Sequence, residues 1–154
     1  MKRLIIATVL ALTLALSSNA YAWTISGTLR QPFDMSWKNV GFTDQPGGQI
    51  FMEYYTAVGK YHMAEDWNGN CSDPCDLGAP LYAIGDGFVK NVQNDPNISK
   101  TIGKSLIVRY MLPDGSQVDS VYWHVQDIYV SVDMNVRKGD LIATIGNAAS
   151  NDYP

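Results

Sequence analysis

Histidine and cysteine are both scarce in this sequence of 154 residues, which contains two of each. Any chemistry that needs an imidazole must therefore use His62, His124 or both. Beyond the N-terminal segment, no stretch holds the roughly 18 apolar residues that a membrane-spanning helix requires. The sequence also shows no internal repeat, no low-complexity tract and no run of like charge. These absences favour a single domain without a membrane anchor.

The N-terminus has the pattern of a signal peptide. Two basic residues in Met1-Lys2-Arg3 precede an apolar stretch, residues 4–16, that is too short to serve as a stable membrane anchor. Small residues in Ala20-Tyr21-Ala22 predict cleavage before Trp23, and no cysteine stands near this point to accept a lipid. We therefore expect residues 1–22 to be removed and the protein to be exported, either to the periplasm or to the medium.

Basic residues are outnumbered in the expected mature chain. Removal of Lys2 and Arg3 leaves nine basic and fifteen acidic residues, a net charge of about −6. An acidic protein of this kind is a poor partner for nucleic acid or for anionic lipid. The sequence gives no indication of the oligomeric state.

The two cysteines, Cys71 and Cys75, are separated by only three residues. In an oxidising compartment this spacing favours a local disulfide, which would close a small loop and contribute modestly to stability. The alternative is a pair of zinc-binding thiolates. That site would need two further ligands, and no histidine or further cysteine lies in the surrounding residues.

Residues 66–70 have some likeness to the start of a calcium-binding loop, with oxygen-bearing side chains at alternate positions. The rest of that motif is missing. Cys71 stands where the loop needs glycine for its turn, and Leu77 stands where a bidentate glutamate is required. We therefore set a calcium site aside.

The pattern after residue 79 is that of short β-strands bounded by turn residues, at residues 80–84, 87–92, 105–112, 117–125 and 141–145. Helical periodicity is hard to find after residue 22. Residues 23–59 form an irregular N-terminal lead-in with one short strand predicted at residues 24–29. The predicted fold class is mostly β, a single domain with an antiparallel sheet or a sandwich-like arrangement.

The clearest hairpin joins residues 106–111 to residues 118–123 through the turn Pro113-Asp114-Gly115-Ser116. Regular alternation along its second strand assigns side chains to two opposite faces. One face is predicted to hold Val118, Ser120, Tyr122 and His124, and the other Asp119, Val121, Trp123 and Val125. His124 is thus predicted at a strand end, where its side chain can face a groove.

His62 is followed four residues later by Asp66. An imidazole and a carboxylate are a normal pair of zinc ligands. Taken alone, the spacing has a more common explanation, since a surface histidine near an aspartate is usually an ordinary solvated pair.

Three segments of the sequence form a recognisable series. The first is the segment Tyr61-His62-Met63-Ala64-Glu65-Asp66-Trp67, a histidine and an aspartate with three residues between them. The second is the glycine-small-proline start at residues 78–80 with its Asp86-Gly87 turn. The third is Tyr122-Trp123-His124-Val125, followed by the segment 136–147 that ends in Ile145-Gly146-Asn147. In this order the three segments resemble the lysostaphin or LytM-type zinc endopeptidases, a family that cuts peptidoglycan.

The resemblance implies a LytM-type metallopeptidase domain at residues 60–154 that binds Zn²⁺ and cleaves stem or bridge peptides of peptidoglycan. His62 and Asp66 would be the first two zinc ligands. In the family, the histidine at the position of His124 does not bind metal but stands beside the zinc-bound water, and His124 carries that catalytic role. The segment 68–76 is longer than the usual link of the family and would shape one wall of the groove.

The family takes its third ligand from a His-x-His motif a few residues beyond the Ile-Gly-Asn segment, and this sequence has no such histidine. We therefore expect a fragment that is incomplete at its C-terminus and inactive by itself, because two protein ligands hold zinc weakly.

Two other functions remain open from the sequence. One is an inactive LytM-like module that binds the cell wall or regulates its hydrolases. The other is an exported β-sandwich binding protein in which both histidines are ordinary surface or packed residues. A sugar-binding groove lined by aromatics is a further possibility, although aromatics on strands usually serve packing; the candidates are Trp37, Tyr54, Tyr55, Trp67 and Trp123.

Overall fold

The fold is taken from a computed structural model that describes residues 26–36, 38, 42–43, 51–56, 59–71, 75–95, 97 and 102–147. The predicted signal peptide, residues 1–22, lies outside these residues, as does Trp37. Within them, every regular element is a strand. No helix in this part of the chain is long and apolar enough to cross a membrane.

Ten strands are present in the described residues. Four two-residue strands come first: β1 Phe42–Thr43, β2 Tyr54–Tyr55, β3 Lys60–Tyr61 and β4 Asn68–Gly69. The longer strands follow: β5 Pro80–Tyr82, β6 Gly87–Gln93, β7 Lys104–Met111, β8 Gln117–Ile128, β9 Asn135–Val136 and β10 Leu141–Ile145. The short strands form two small pairs, β1 with β4 and β2 with β3.

The main sheet has six strands in the order β5-β10-β8-β7-β6-β9, and every neighbouring pair is antiparallel. The prediction of a mostly β domain with a single antiparallel sheet is therefore confirmed. Five of its six strands correspond to predicted strands, and only the short β9 was not predicted. A strand of two residues shows no alternation from which it could be recognised.

The β7–β8 hairpin confirms the predicted pairing. Its turn is closed by a hydrogen bond from the Leu112 N–H to the Ser116 carbonyl, 2.8 Å long. The Asp114 carboxylate caps the turn by accepting the Ser116 N–H at 2.9 Å. Gly115 has a φ of 83°, a backbone conformation that glycine adopts without steric cost. The turn residues thus fix the register of the two central strands.

The core lies on one face of the main sheet. Alternate residues of β7, Leu106, Val108 and Tyr110, are fully buried, and Ile142 and Ala143 of β10 join them. Burial of each large aliphatic side chain stabilises the fold by roughly 1.5–3 kcal/mol. The hydroxyl of Tyr110 is satisfied by a 3.0 Å hydrogen bond to the Ser120 hydroxyl, so this polar atom does not weaken the core.

The predicted strand at residues 24–29 is wrong for its described part, since residues 26–29 form no strand. This segment contacts the main sheet through isolated bonds. The Ser26 N–H donates to the Met111 carbonyl and the Arg30 N–H to the Ile84 carbonyl, both at 2.9 Å. Its acceptors lie on two separate parts of the chain, so no continuous ladder forms and the alternating pattern does not produce a strand.

Candidate active site

His62 is fixed through its backbone at the end of the β2–β3 hairpin. Its N–H donates to the Glu53 carbonyl at 2.8 Å, and its carbonyl accepts the Met52 N–H at 2.7 Å. The hairpin itself is reinforced by the edge-on contact of Tyr54 and Tyr61, whose ring centroids lie 5.1 Å apart. Two backbone bonds and an aromatic pair therefore hold the imidazole at a defined place.

Asp66 lies between the His62 hairpin and β4. The next residue, Trp67, packs against the core and contacts Phe33 with 5.4 Å between ring centroids. The Trp67 indole N–H donates to the Glu65 carboxylate at 3.2 Å. Trp67 thus anchors this segment in the core while the side chain of Asp66 stays partly exposed, at 44 %.

The structure brings the imidazole of His62 and the carboxylate of Asp66 together. Nε2 of His62 lies 3.4 Å from Oδ1 of Asp66. Nδ1 of His62 is buried and has no hydrogen-bond partner among the described residues. Buried polar atoms without a partner are uncommon in folded proteins and mark places where a bound group is expected.

His124 does not lie at a strand end, and that prediction is wrong. It lies inside β8, four residues before Ile128, at a bulge with a φ of 55°. Relative to β7, the strand carries one extra residue between Tyr122 and Val125. The bulge reverses the alternation, so Val125 is buried in the core although regular alternation placed it with exposed Trp123.

Residues just before β7 and just after β10 hold the bulge on both sides. The His124 N–H donates to the Ile102 carbonyl at 3.1 Å, and the His124 carbonyl accepts the Gly146 N–H at 2.7 Å. Neither Ile102 nor Gly146 was predicted to have this role. Gly146 belongs to the quoted Ile-Gly-Asn segment, but its function depends on the register of β10 against β8, which the sequence does not display.

The imidazole of His124 is influenced by the charge of the Asp66 carboxylate. Burial lowers the pKa of His124 below its ordinary value, and the negative charge of Asp66 opposes this by raising it. Nδ1 of His124 is buried without a hydrogen-bond partner among the described residues. Asp66 therefore interacts with both histidines, which come from segments 62 residues apart.

The predicted disulfide between Cys71 and Cys75 is present, with the two Cα atoms 6.1 Å apart, and the prediction is confirmed. It packs on β4. A Cβ atom at Gly69 would lie 2.8 Å from the Cys75 sulfur, so only glycine fits there. The Gly69 N–H also donates to the Asp76 carboxylate at 2.9 Å. The disulfide loop thus supports the strand that follows Asp66.

The chemistry of this site fits part of a zinc centre. An imidazole and a carboxylate in contact are suitable zinc ligands, and the unpartnered Nδ1 atoms leave imidazole nitrogens available. In the part of the chain that the structure describes, no group of three or more histidine, cysteine, aspartate or glutamate side chains is arranged to hold a metal ion. The described residues therefore supply two candidate ligands, His62 and Asp66.

The sequence pattern of Peptidase family M23 matches residues 71–154, which is more than half of the chain. The chain belongs to Peptidase family M23. This confirms the resemblance to the LytM-type endopeptidases and places the chain among peptidases. The matched stretch includes His124 but begins after His62 and Asp66, so the roles of these three residues stay predictions.

A solved structure of a zinc-containing peptidase from Vibrio cholerae has a similar fold, with a TM-score of 0.57 and 22% sequence identity. The similarity covers 82% of this chain but 34% of that protein, so the chain spans about a third of the length of its structural relative. At 22% identity, the similarity between the two structures is evidence about the fold alone. No curated protein matches the chain.

The aromatic side chains proposed for a sugar-binding groove lie in different environments. Trp67 packs against the core, as expected for a structural residue. Tyr54 and Trp123 are about half exposed, at 51% and 49%. The side chain of Tyr55 lies outside what the structure describes.

Proposed function

We propose that this protein is a zinc-dependent endopeptidase that cleaves the stem or bridge peptides of peptidoglycan. The observation that carries the proposal is the 3.4 Å distance between His62 Nε2 and Asp66 Oδ1. The charge of Asp66 also acts on His124, where it raises the pKa of the imidazole against the effect of burial. A peptidase family and an imidazole-carboxylate pair at its expected motif point to the same chemistry.

His62 and Asp66 would hold the zinc ion. When bound, zinc supplies a Lewis acid that polarises a peptide carbonyl and makes water more acidic. The hairpin bonds of His62 and the core packing of Trp67 keep the two ligands in place without help from the metal. Such pre-organisation lowers the entropic cost of forming the site.

His124 would act as the group that holds or transfers a proton. A neutral imidazole has one donor and one acceptor nitrogen, and Nδ1 of His124 has no competing partner in the described residues. Its backbone is hydrogen-bonded to Ile102 on one side and Gly146 on the other, which fixes the position from which the half-buried side chain extends. A proton carrier in a fixed position typically accelerates hydrolysis 10²- to 10⁴-fold.

The substrate and the location are supported by the sequence. The motif resemblance implies peptidoglycan peptides as the substrate class, and residues 1–22 have the pattern of an export signal. Export would bring the protein to the compartment where peptidoglycan is found.

The test is zinc content and release of soluble peptides from purified peptidoglycan, measured on the mature protein expressed from the complete gene. We expect about one zinc ion per molecule, and loss of both zinc and release in Asp66→Asn. The matched control is Asp95→Asn, because within the described residues the hydrogen bonds of exposed Asp95 join it to Gln93 and Asn97, two residues away on either side. A metal-free protein, or equal activity in Asp66→Asn, would contradict the proposal.

A second candidate is an inactive wall-binding or hydrolase-regulating module. The observation that favours it is the lack of a third metal ligand among the described residues. The sequence of the complete gene discriminates between the two: a His-x-His motif after the Ile-Gly-Asn segment supports the endopeptidase, and its absence supports the module. Binding to peptidoglycan without hydrolysis, unchanged in His62→Ala, would be the result expected of the module.

A further inference from the structure

An open depression of about 270 Å³ lies at the end of the main sheet near His124. Its lining combines apolar, amide and cationic side chains, from Leu77, Lys104, Val125, Gln126 and Asn147. A concave surface with a few convergent polar groups is the usual form of a small-ligand subsite.

Four of the five lining residues, all but Leu77, are close to His124 along the chain or across the sheet. Lys104 pairs with Val125, the residue that follows His124. Asn147 follows Gly146, whose N–H donates to the His124 carbonyl. A ligand in the depression would therefore contact the segment that follows the proposed proton carrier.

Lys104 is the cationic group of this depression. Its ammonium donates to the Gln126 carbonyl at 2.8 Å, which holds it in an exposed position beside the depression and leaves two of its three donors available. Lys90 differs, because its ammonium lies 2.9 Å from the Asp119 carboxylate. Among the described residues, Lys104 forms no ion pair, so its charge is not neutralised by the protein.

We propose that Lys104 binds a carboxylate of the substrate and makes the protein prefer acidic stem peptides to uncharged bridge peptides. This inference rests on the proposed function and names the substrate class of the same site. An ammonium held in a half-open site forms charge-assisted hydrogen bonds with a carboxylate, whereas a neutral peptide gains nothing from it. The remainder of the protein is acidic, so a local cation is needed to offset repulsion of an anionic peptide.

The test compares two synthetic peptides with blocked termini that differ in one group. One is a stem peptide with a free glutamyl carboxylate, and the other carries a carboxamide at the same atom. Binding is measured by NMR titration. We expect the carboxylate peptide to bind about threefold to tenfold more tightly, and the preference to shrink at high salt.

Three variants make the test specific. Lys104→Gln should abolish the preference, and Lys104→Arg should keep most of it because the charge remains. Lys138→Gln is the matched control, since Lys138 is exposed and its ammonium donates to the Thr28 hydroxyl instead. It should keep the full preference.

Equal binding of the two peptides, no measurable binding of either, or a preference that survives in Lys104→Gln would overturn the inference. The His62→Ala variant separates it from the proposed function. If the carboxylate preference persists there while neither this variant nor the unmodified mature protein from the complete gene hydrolyses peptidoglycan, the carboxylate subsite stands and the endopeptidase proposal fails. If the unmodified protein hydrolyses acidic and neutral peptides equally well, the endopeptidase stands and the role of Lys104 is refuted.

Discussion

Replacement of Gly146 by alanine should disrupt the bulge that carries His124. A Cβ atom at Gly146 would lie 2.6 Å from the backbone nitrogen and 2.9 Å from the Cα of Gln126. Ordinary contacts between such atoms are about 3.5–4.0 Å, so β10 must move away from β8 by roughly 1 Å. The obstruction is backbone, which a rotamer change cannot relieve.

The expected loss of folding stability is the sum of two contributions. Insertion of a methyl group into a packed site costs about 1–3 kcal/mol. The 2.7 Å hydrogen bond from the Gly146 N–H to the His124 carbonyl would lengthen beyond hydrogen-bonding distance, which costs about 1 kcal/mol more. The free energy of unfolding should therefore fall by about 2–4 kcal/mol.

Urea unfolding of Gly146→Ala beside Gly27→Ala measures this effect. Gly27 is the matched control because no atom lies within 4 Å of a Cβ placed there, so its substitution should change stability by less than about 0.5 kcal/mol. The NMR signals of the His124 ring should also shift in Gly146→Ala. If both variants unfold at the same urea concentration, the close β8–β10 contact and the reasoning built on it are wrong.

Three further perturbations test the scaffold. Hydrogen bonds from Arg109 lower the pKa of Asp119 to about 2 from 3.8, so its stabilisation is complete above about pH 5 and is lost as the pH falls through about 2. Asp119→Asn should lower the free energy of unfolding by about 1 kcal/mol at pH 6 and by much less at pH 2; parallel pH profiles of urea unfolding would contradict this. Replacing Cys71 and Cys75 by serine should lower the free energy of unfolding by about 2 kcal/mol. Reduction of the unmodified protein should have the same effect, and an unchanged urea midpoint would argue against the disulfide. Tyr110→Phe should lower the free energy of unfolding by about 1–2 kcal/mol. Unchanged stability would show that the buried hydrogen bond of the Tyr110 hydroxyl makes no net contribution.

The local features of this protein were predictable because they depend on short-range physics. The strand at residues 141–145 was predicted with the bounds found in β10, and turn chemistry at Asp114 and Gly115 identified the central hairpin. The Cys71–Cys75 disulfide followed from spacing and the expected compartment. In each case the residues that decide the structure lie within a few positions of one another.

The sequence by itself determined the mostly β class and the disulfide. It also limited any imidazole chemistry to His62 and His124, the two histidines of the sequence. The tertiary structure decided how they are used. One extra residue in β8 reversed the alternation at His124, which is visible only when the strand is aligned with β7. The interaction of Asp66 with His124 likewise joins distant segments of the chain, and alternation within one segment carries no information about it.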